Sequence, residues 1–114
     1  MPSAELTLLS LDDAPREIAG QWAPLFRALG DPVRLEIVLL LVREPRTVKQ
    51  LQTALKLSQA LVSHHLRLLR EQDIVVATAR GRSNIYEVCA PPLACLAQCL
   101  ESMVSSTAPA GPQP

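Results

Sequence analysis

The stretch LSQALVSHHLRLLREQDIV, residues 57–75, decides the fold, because its spacing predicts an amphipathic helix that begins after Ser58 and reaches about Gln72. Serine is a favoured N-cap residue. Successive helical residues lie about 100° apart around the axis, so apolar side chains collect on one arc and polar ones on the other. The inner arc holds Leu61, Val62, His65, Leu66, Leu68 and Leu69, and the outer arc holds Gln59, Ala60, Ser63, Arg67 and Arg70, with His64 at its edge.

The outer arc has the composition expected of a helix that enters the major groove of DNA. Small residues allow a close approach, Gln, Ser and His offer hydrogen bonds to base edges, and Arg pairs with guanine or phosphate. The N-terminus of a helix also interacts favourably with phosphate. The pattern therefore predicts a DNA-contacting set on this helix: Ser58, Gln59, Ala60, Ser63, His64, Arg67 and Arg70.

The two adjacent histidines have different predicted roles. His65 falls among the leucines and is expected to be a core histidine that is hydrogen-bonded to the backbone. His64 points outward, either to DNA or simply to water. Because the two side chains leave the helix about 100° apart, the pattern favours neither a shared metal ion nor a catalytic pair. Arg70 has a similar alternative, since it could form a surface ion pair instead of contacting DNA.

The residues before this helix predict three more helices. Apolar spacing predicts a first helix over residues 13–29, with Gly30 in a left-handed conformation at its end. Asp31 is suited to cap a second helix that is apolar nearly all round and is therefore central. Thr47 and Gln50 form a capping box for a short third helix. Together with the helix that follows, this short helix makes a helix-turn-helix candidate.

The residues after it change to the period of β-strands. The runs IVVATA (residues 74–79) and NIYEV (residues 84–88) predict a hairpin with a glycine in its turn, and a last helix follows over about residues 92–103. Arg80 and Arg82 flank the turn glycine. Alone they could be a solvated turn, but after a helix-turn-helix they are predicted to reach the minor groove or flanking phosphates. The predicted fold class is mainly α (α+β), a winged helix-turn-helix of about five helices with a two-stranded β-wing.

Charge is divided unevenly along a chain whose net charge is zero. Residues 43–82 hold eight Lys or Arg and three acids, which gives that segment +5 and leaves −5 elsewhere. This asymmetry indicates one face directed at a polyanion. Lys49, one of these eight cations, belongs to the predicted third helix and joins the candidate DNA contacts.

Length and composition indicate a single folded domain. The chain has 114 residues, of which 48% are hydrophobic, and none of its apolar runs approaches the ~20 residues needed to span a bilayer. The acidic opening MPSAELTLLSLDD lacks the basic region of a secretory signal, and three cysteines do not suggest a disulfide framework, so a cytoplasmic location is expected. The predicted organisation is an arm over residues 1–12, a DNA-binding and dimerisation domain over residues 13–104, and a disordered Pro/Ala-rich tail over residues 105–114.

Two segments carry a family resemblance. LFRALGDPVRLEIVLLL (residues 25–41) followed by LSQALVSHHLRLLREQDIVVATARGRSNIYEV (residues 57–88) resembles the ArsR/SmtB family of bacterial winged-helix repressors. The likeness covers roughly residues 20–90 and is most specific at residues 28–35 and 58–69. It implies a homodimer paired through the first and last helices, a palindromic DNA operator, and release of DNA when an inducer binds. By motif position, Gln59, Ser63, His64 and Arg67 match the DNA-reading helix, and residues 80–82 match the wing.

DNA geometry gives a separate reason to expect a homodimer. One helix reads only a few base pairs, whereas two copies about 34 Å apart read two half-sites. The first and last predicted helices each offer an apolar stripe for pairing. The candidate dimer interface comprises Trp22, Leu25, Leu93, Leu96, Leu100 and Met103.

The metal-binding patterns common in this family are missing from the sequence. The third-helix segment TVKQLQTAL lacks a Cys-X-Cys pair, and the last-helix segment PPLACLAQCLESM lacks His and Asp. What remains is Cys95 and Cys99, four residues apart, with Cys89 on the preceding strand. They could pack as small hydrophobic residues, bind a soft metal or metalloid ion as thiolates, or be oxidised. A nickel site using backbone or N-terminal ligands is a further alternative.

Oxidation within the last helix is disfavoured, because bonded cysteines need Cβ atoms about 3.8 Å apart and Cys95 and Cys99 share one regular helix. An oxidation switch would instead use Cys89 or cross the dimer. A co-regulatory partner protein could also supply the response. A winged-helix module that binds another protein is the alternative function, and a thiol enzyme is disfavoured because the histidines lie far in sequence from the cysteines.

Overall fold

The fold is an array of five helices with a small antiparallel sheet, seen in a computed structural model that describes residues 12–107. The predicted arm, apart from its last residue, and residues 108–114 of the predicted tail lie outside the described residues. The elements in chain order are α1 (Pro15–Leu29), α2 (Pro32–Arg43), β1 (Arg46–Thr47), α3 (Val48–Leu55), α4 (Gln59–Glu71), β2 (Val75–Arg80), β3 (Ser83–Val88) and α5 (Ala90–Ser105).

Side-chain caps start α2, α3 and α4 where the sequence predicts them. Asp31 Oδ2 accepts hydrogen bonds from the backbone N–H groups of Val33 and Arg34, at 3.0 and 3.1 Å. The capping box of α3 is complete, since Thr47 Oγ1 accepts from Gln50 N at 3.2 Å and the Gln50 side chain accepts from Thr47 N at 2.8 Å. At α4, Ser58 Oγ accepts from Leu61 N at 3.2 Å. Each cap satisfies an N–H group that the helix itself leaves unpaired, so these starts are set locally.

The left-handed conformation predicted for Gly30 is wrong. Gly30 has φ −80° and ψ −1°, and its N–H donates to Arg27 O at 3.2 Å in a right-handed turn. A Cβ at this position would lie 3.1 Å from the carbonyl oxygen of Phe26, so close approach explains the glycine. Left-handed φ occurs instead at Lys56, where α3 turns into α4, at Asp73, and at Gly81 in the wing turn.

The sheet has one more strand than the sequence predicts. The β2–β3 hairpin forms the wing, and its register places Arg80 opposite Ser83 with a two-residue turn between them. On the other edge of β3, the two-residue strand β1 places Arg46 opposite Tyr86, which gives the order β1-β3-β2. A strand of two residues has no detectable alternation, which is why the sequence pattern missed it.

The core forms where α2, α3 and α4 pack against the start of the wing. Its fully buried side chains are Ile37, Leu51, Val62, Leu66, Leu69 and Ile74. Burying each such side chain stabilises the fold by about 1.5–3 kcal/mol. The inner arc of α4 is narrower than predicted, because Leu61 is 48% exposed and Leu68 is half-buried. Leu61 lies about 100° around the axis from Val62, at the margin of the buried face.

The residues of the predicted dimer interface differ in exposure. Trp22, Leu25 and Leu96 are buried within their own protomer, and Leu93 is half-buried. Leu100 and Met103 are 45% and 47% exposed, and Val104 beside them is 74% exposed. The second half of α5 therefore presents apolar side chains to solvent. Within residues 12–107, no helix combines the length and the apolar character that crossing a bilayer requires.

Candidate nucleic-acid interface

The outer face of α4 is fully accessible. All seven residues that the sequence assigns to this face are exposed, and the buried side chains of the helix, Val62, Leu66 and Leu69, point the other way. The face is small and uncharged at its N-terminal end and cationic towards its C-terminal end. This accessibility is what a DNA-reading helix requires, although the individual contacts stay predictions. The seven residues are Ser58, Gln59, Ala60, Ser63, His64, Arg67 and Arg70.

Arg67, rather than Arg70, makes the surface ion pair on α4. Its Nη1 donates to Glu71 Oε2 at 3.2 Å, and both side chains are more than half exposed. Its Nη2 lies 3.3 Å from Nδ1 of His64. Because a guanidinium can only donate, Nδ1 accepts this bond and neutral His64 carries its proton on Nε2. The Nε2–H group is then a donor for a base edge or phosphate.

His65 is half-buried, but its observed partners are side chains and not the predicted backbone. Its Nδ1 lies 3.3 Å from Arg34 Nη1 and 3.8 Å from Asp31 Oδ2, both on the α2 side. Partial burial lowers the pKa of His65, and the Asp31 carboxylate opposes that effect. The hydrogen bond from the Arg34 backbone N–H lowers the pKa of Asp31. His65 therefore faces inward as predicted, into a polar rather than a leucine-lined pocket.

A cleft of about 610 Å³ separates the wing from the first turns of α3 and α4. It brings together three of the predicted DNA contacts, Lys49, Gln59 and Arg82, which come from three different elements. Two cations and many uncharged donors line one concave surface, which suits a phosphodiester backbone. The full lining is Thr47, Val48, Lys49, Gln52, Thr53, Gln59, Arg82, Ser83 and Asn84.

Four polar residues of this cleft were missed by the sequence analysis. Gln52 and Thr53 lie three and four residues after Lys49 and therefore share its face of α3. The Thr53 hydroxyl donates to Lys49 O at 3.2 Å, so its lone pairs face outward. The spacing of Gln52 and Thr53 from Lys49 could therefore have been recognised in the sequence. Ser83 and Asn84 on the wing carry no comparable signal, because only the folded hairpin brings them to α3.

Arg80 and Arg82 are both exposed at the tip of the wing, on either side of Gly81. Arg82 lines the cleft, whereas Arg80 is not among its lining residues. Gly81 has φ 62°, a conformation that a glycine adopts without strain. The same turn thus holds both arginines, but Arg82 lines the cleft and Arg80 does not.

The three cysteines are free thiols and half-buried. Burial raises the pKa of Cys89, helped by the charges of Asp73 and Glu87. Burial also raises the pKa of Cys99, with a further contribution from Cys95. The raised pKa values keep the thiols of Cys89 and Cys99 protonated near neutral pH. Among residues 12–107, no three side chains of His, Cys, Asp or Glu come close enough to hold a metal ion.

Known proteins resemble this chain in both sequence and fold. The model of the bacterial regulatory protein arsR family matches residues 31–76. The HTH-type transcriptional repressor SmtB of Mycobacterium tuberculosis is 42% identical over 74 residues, which cover 65% of this chain and 55% of the relative. The transcriptional repressor SmtB homolog of Synechocystis is 40% identical over 81 residues, covering 71% and 58% respectively. The chain thus spans a little over half the length of these repressors.

A shorter relative and a solved structure extend this likeness. The HTH-type transcriptional regulator MJ1325 of Methanocaldococcus jannaschii is 39% identical over 67 residues, which cover 58% of this chain and 75% of the relative. The solved structure of an ArsR-like transcriptional regulator from Rhodococcus sp. RHA1 superposes with a TM-score of 0.75 at 27% identity, covering 81% of this chain and 84% of that one. On these grounds the chain belongs to the ArsR/SmtB family of helix-turn-helix transcriptional regulators.

Proposed function

We propose that this chain is a homodimeric, sequence-specific DNA-binding repressor. The observation that carries the proposal is the cleft in which Lys49, Gln59 and Arg82 converge beside the accessible face of α4. A protein-binding module has no need for two cations and a glutamine from three elements to line one polar groove. Relatives named as transcriptional repressors support the same function, and no catalytic role is proposed.

In this proposal α4 enters the major groove and the cleft holds the adjacent backbone. Gln59, Ser63 and His64 read base edges, because they lie on the exposed face and carry both donors and acceptors. Lys49 and Arg82 contact phosphates, which set the position of the protein without reading sequence. Phosphate neutralisation releases counterions, so affinity should depend steeply on salt.

The exposed face of α5 is the proposed contact with a second copy of the chain. In α5, all of whose residues are described, Leu96 is the buried side chain, and Leu100, Met103 and Val104 are exposed. Apolar side chains grouped on one helix face are stabilised when a partner covers them. Pairing through α1 and α5 would place two copies of α4 about one DNA turn apart, on a palindromic operator.

The signal that relieves repression is proposed to act near α5, where Cys95 and Cys99 lie. A soft metal or metalloid would have to displace protons from these thiols, and the raised pKa of Cys99 makes that binding pH-dependent. Thiol oxidation and a co-regulatory protein are the alternatives. Titration of the DNA complex with metals and with oxidants, in wild type and in Cys95→Ser/Cys99→Ser, distinguishes these signals. A metal or an oxidant that acts through the two thiols should release DNA from wild type and not from the variant. A co-regulatory protein that does not use the thiols would act on wild type and variant alike.

Salt-dependent binding to duplex DNA tests the proposed function. A duplex selected by the wild-type protein from a random pool should bind with a log–log salt slope of roughly −0.9 for each phosphate contacted. Arg82→Ala should make that slope less steep by about 0.9, the contribution of one phosphate contact. Arg43→Ala removes the same charge from the far end of α2, outside the cleft, and should leave the slope nearly unchanged. Flat salt dependence, or no duplex selected at all, would favour the protein-binding module.

A further inference from the structure

Arg34 links three helices at the corner where α1 meets α2. Its Nε donates to the carbonyl oxygen of Ala28 at 2.8 Å, and its Nη2 donates to that of Arg27 at 3.2 Å, both in the last turn of α1. Its Nη1 lies 3.3 Å from Nδ1 of His65 on α4. A guanidinium is planar and rigid, so fixing two of its nitrogens also fixes the third. The position of α4 at His65 is thereby tied to α1.

This contact requires His65 to be neutral. Because Arg34 can only donate, Nδ1 of His65 must accept, and the imidazole proton must lie on Nε2. The charged and titratable groups that face the ring are Arg34 and Asp31 from α2 and His64 from α4 itself, whose ring centroid lies 5.3 Å away. Asp31 Oδ2, at 3.8 Å, already accepts from two N–H groups of α2.

Protonation of His65 replaces its contact with Arg34 by a contact with Asp31. An imidazolium has no lone pair on Nδ1 to accept from Arg34, and its positive charge is repelled by the guanidinium. The Asp31 carboxylate, whose Oδ2 lies 3.8 Å from the same nitrogen, attracts the imidazolium. His65 therefore has two alternative contacts, one with Arg34 when it is neutral and one with Asp31 when it is charged.

We propose that Arg34 and His65 are positioning residues for DNA binding: their hydrogen bond holds α4 at the angle that an operator requires, and protonation of His65 releases it. The inference rests on the proposed function, since it concerns how α4 is presented to DNA. In a dimer both copies of α4 must fit half-sites at a fixed spacing, so a small tilt of each helix weakens specific binding.

The pH range follows from the direction of the pKa shift. Partial burial lowers the pKa of His65 from its ordinary value of 6.5, so the folded protein binds this proton less readily than the unfolded chain does. The stability that neutral His65 contributes is therefore complete above about pH 6.5 and is lost as the pH falls through the lower, folded-state pKa. We expect α4 to be released in the same acidic pH range.

An NMR titration without DNA tests the coupling by itself. In wild-type protein, the backbone amides of Val62 and Leu66 should shift with the same midpoint as the His65 ring. In Arg34→Lys, which keeps the charge but loses the planar fork, the midpoint of His65 should move. Amides of α4 that do not follow the His65 titration would overturn the proposal.

DNA binding is then compared in two variants that lack the exposed histidine, His64→Asn and His64→Asn/His65→Asn. Between about pH 7.5 and pH 5.5, the affinity of the first for the selected duplex should fall about tenfold, the effect of losing roughly one charged hydrogen bond. The affinity of the second variant should change less than twofold over this pH range, because the asparagine Oδ1 replaces Nδ1 of His65 and accepts from Arg34 at either pH. Equal pH dependence of the two variants would overturn the proposal. If wild-type protein selects no duplex, the proposed function fails instead, and the NMR titration alone decides the coupling.

Discussion

Arg67 holds its guanidinium between Glu71 and His64 on the outer face of α4. An exposed pair of this kind contributes only about 0.3–0.5 kcal/mol to folding, so its partners can be exchanged for DNA at little cost. The pair keeps the long side chain extended along the helix, near the position in which it would meet a base or phosphate. The helical spacing placed Arg67 on this face, but it could not say whether Arg67 or Arg70 pairs with Glu71.

We expect Arg67→Ala to weaken binding to the selected duplex by roughly 1–3 kcal/mol and to relax base preference at one position of each half-site. Glu71→Ala should leave affinity unchanged or raise it, since it removes a competing carboxylate and a negative charge from the DNA-facing side. Fluorescence anisotropy on the selected duplex and on single-base variants measures both effects. The two substitutions should leave the thermal midpoint of the protein nearly unchanged. Unaltered affinity in Arg67→Ala would mean that α4 does not enter the groove.

At the scale of elements, the helix-turn-helix was predictable because its boundaries are set by neighbouring residues. The caps of α2, α3 and α4 each use a side chain within three residues of the N–H group that it satisfies. In contrast, β1 exists only because β3 passes beside it. The cleft likewise joins α3 to a hairpin about 30 residues later in the chain, beyond the reach of local patterns.

The capping box gives a prediction for α3 itself. Thr47→Ala removes the acceptor for Gln50 N and should lower the free energy of unfolding by about 0.5–2 kcal/mol. Thr53→Ala makes the same chemical change in the interior of α3, where the hydroxyl bonds only to Lys49 O among the described residues. It should be neutral or slightly stabilising, because alanine is the better helix former. Urea unfolding of the two variants compares them, and an equal loss in both would show that the cap does not stabilise α3.

At the scale of the whole molecule, the basic segment of the chain and the exposed apolar residues of α5 are separate. The segment 43–82, which contains α3, α4 and the wing tip, carries +5, and the rest of the chain carries −5. The exposed apolar side chains of α5, Leu100, Met103 and Val104, lie outside that basic segment. The α5 side chains that a dimer paired through this helix would cover are not among the predicted DNA contacts. The sequence predicted this division from charge counts and helical spacing, while the burial of Trp22 and Leu25 within one protomer required the folded chain.

Dimerisation through α5 can be tested by placing a charge on its exposed apolar face. In a twofold symmetric dimer, Leu100→Glu enters the interface twice, so burying two carboxylates should weaken the dimer by at least roughly 3 kcal/mol. Gln98→Glu adds the same charge to the same helix about 160° around the axis from Leu100, and the dimer should persist. Sedimentation equilibrium at micromolar protein measures the association, and anisotropy measures the accompanying loss of affinity for a palindromic duplex. If Leu100→Glu remains as dimeric as Gln98→Glu, the second copy docks elsewhere, and the spacing of the two DNA-reading helices must be set by another face of the protein.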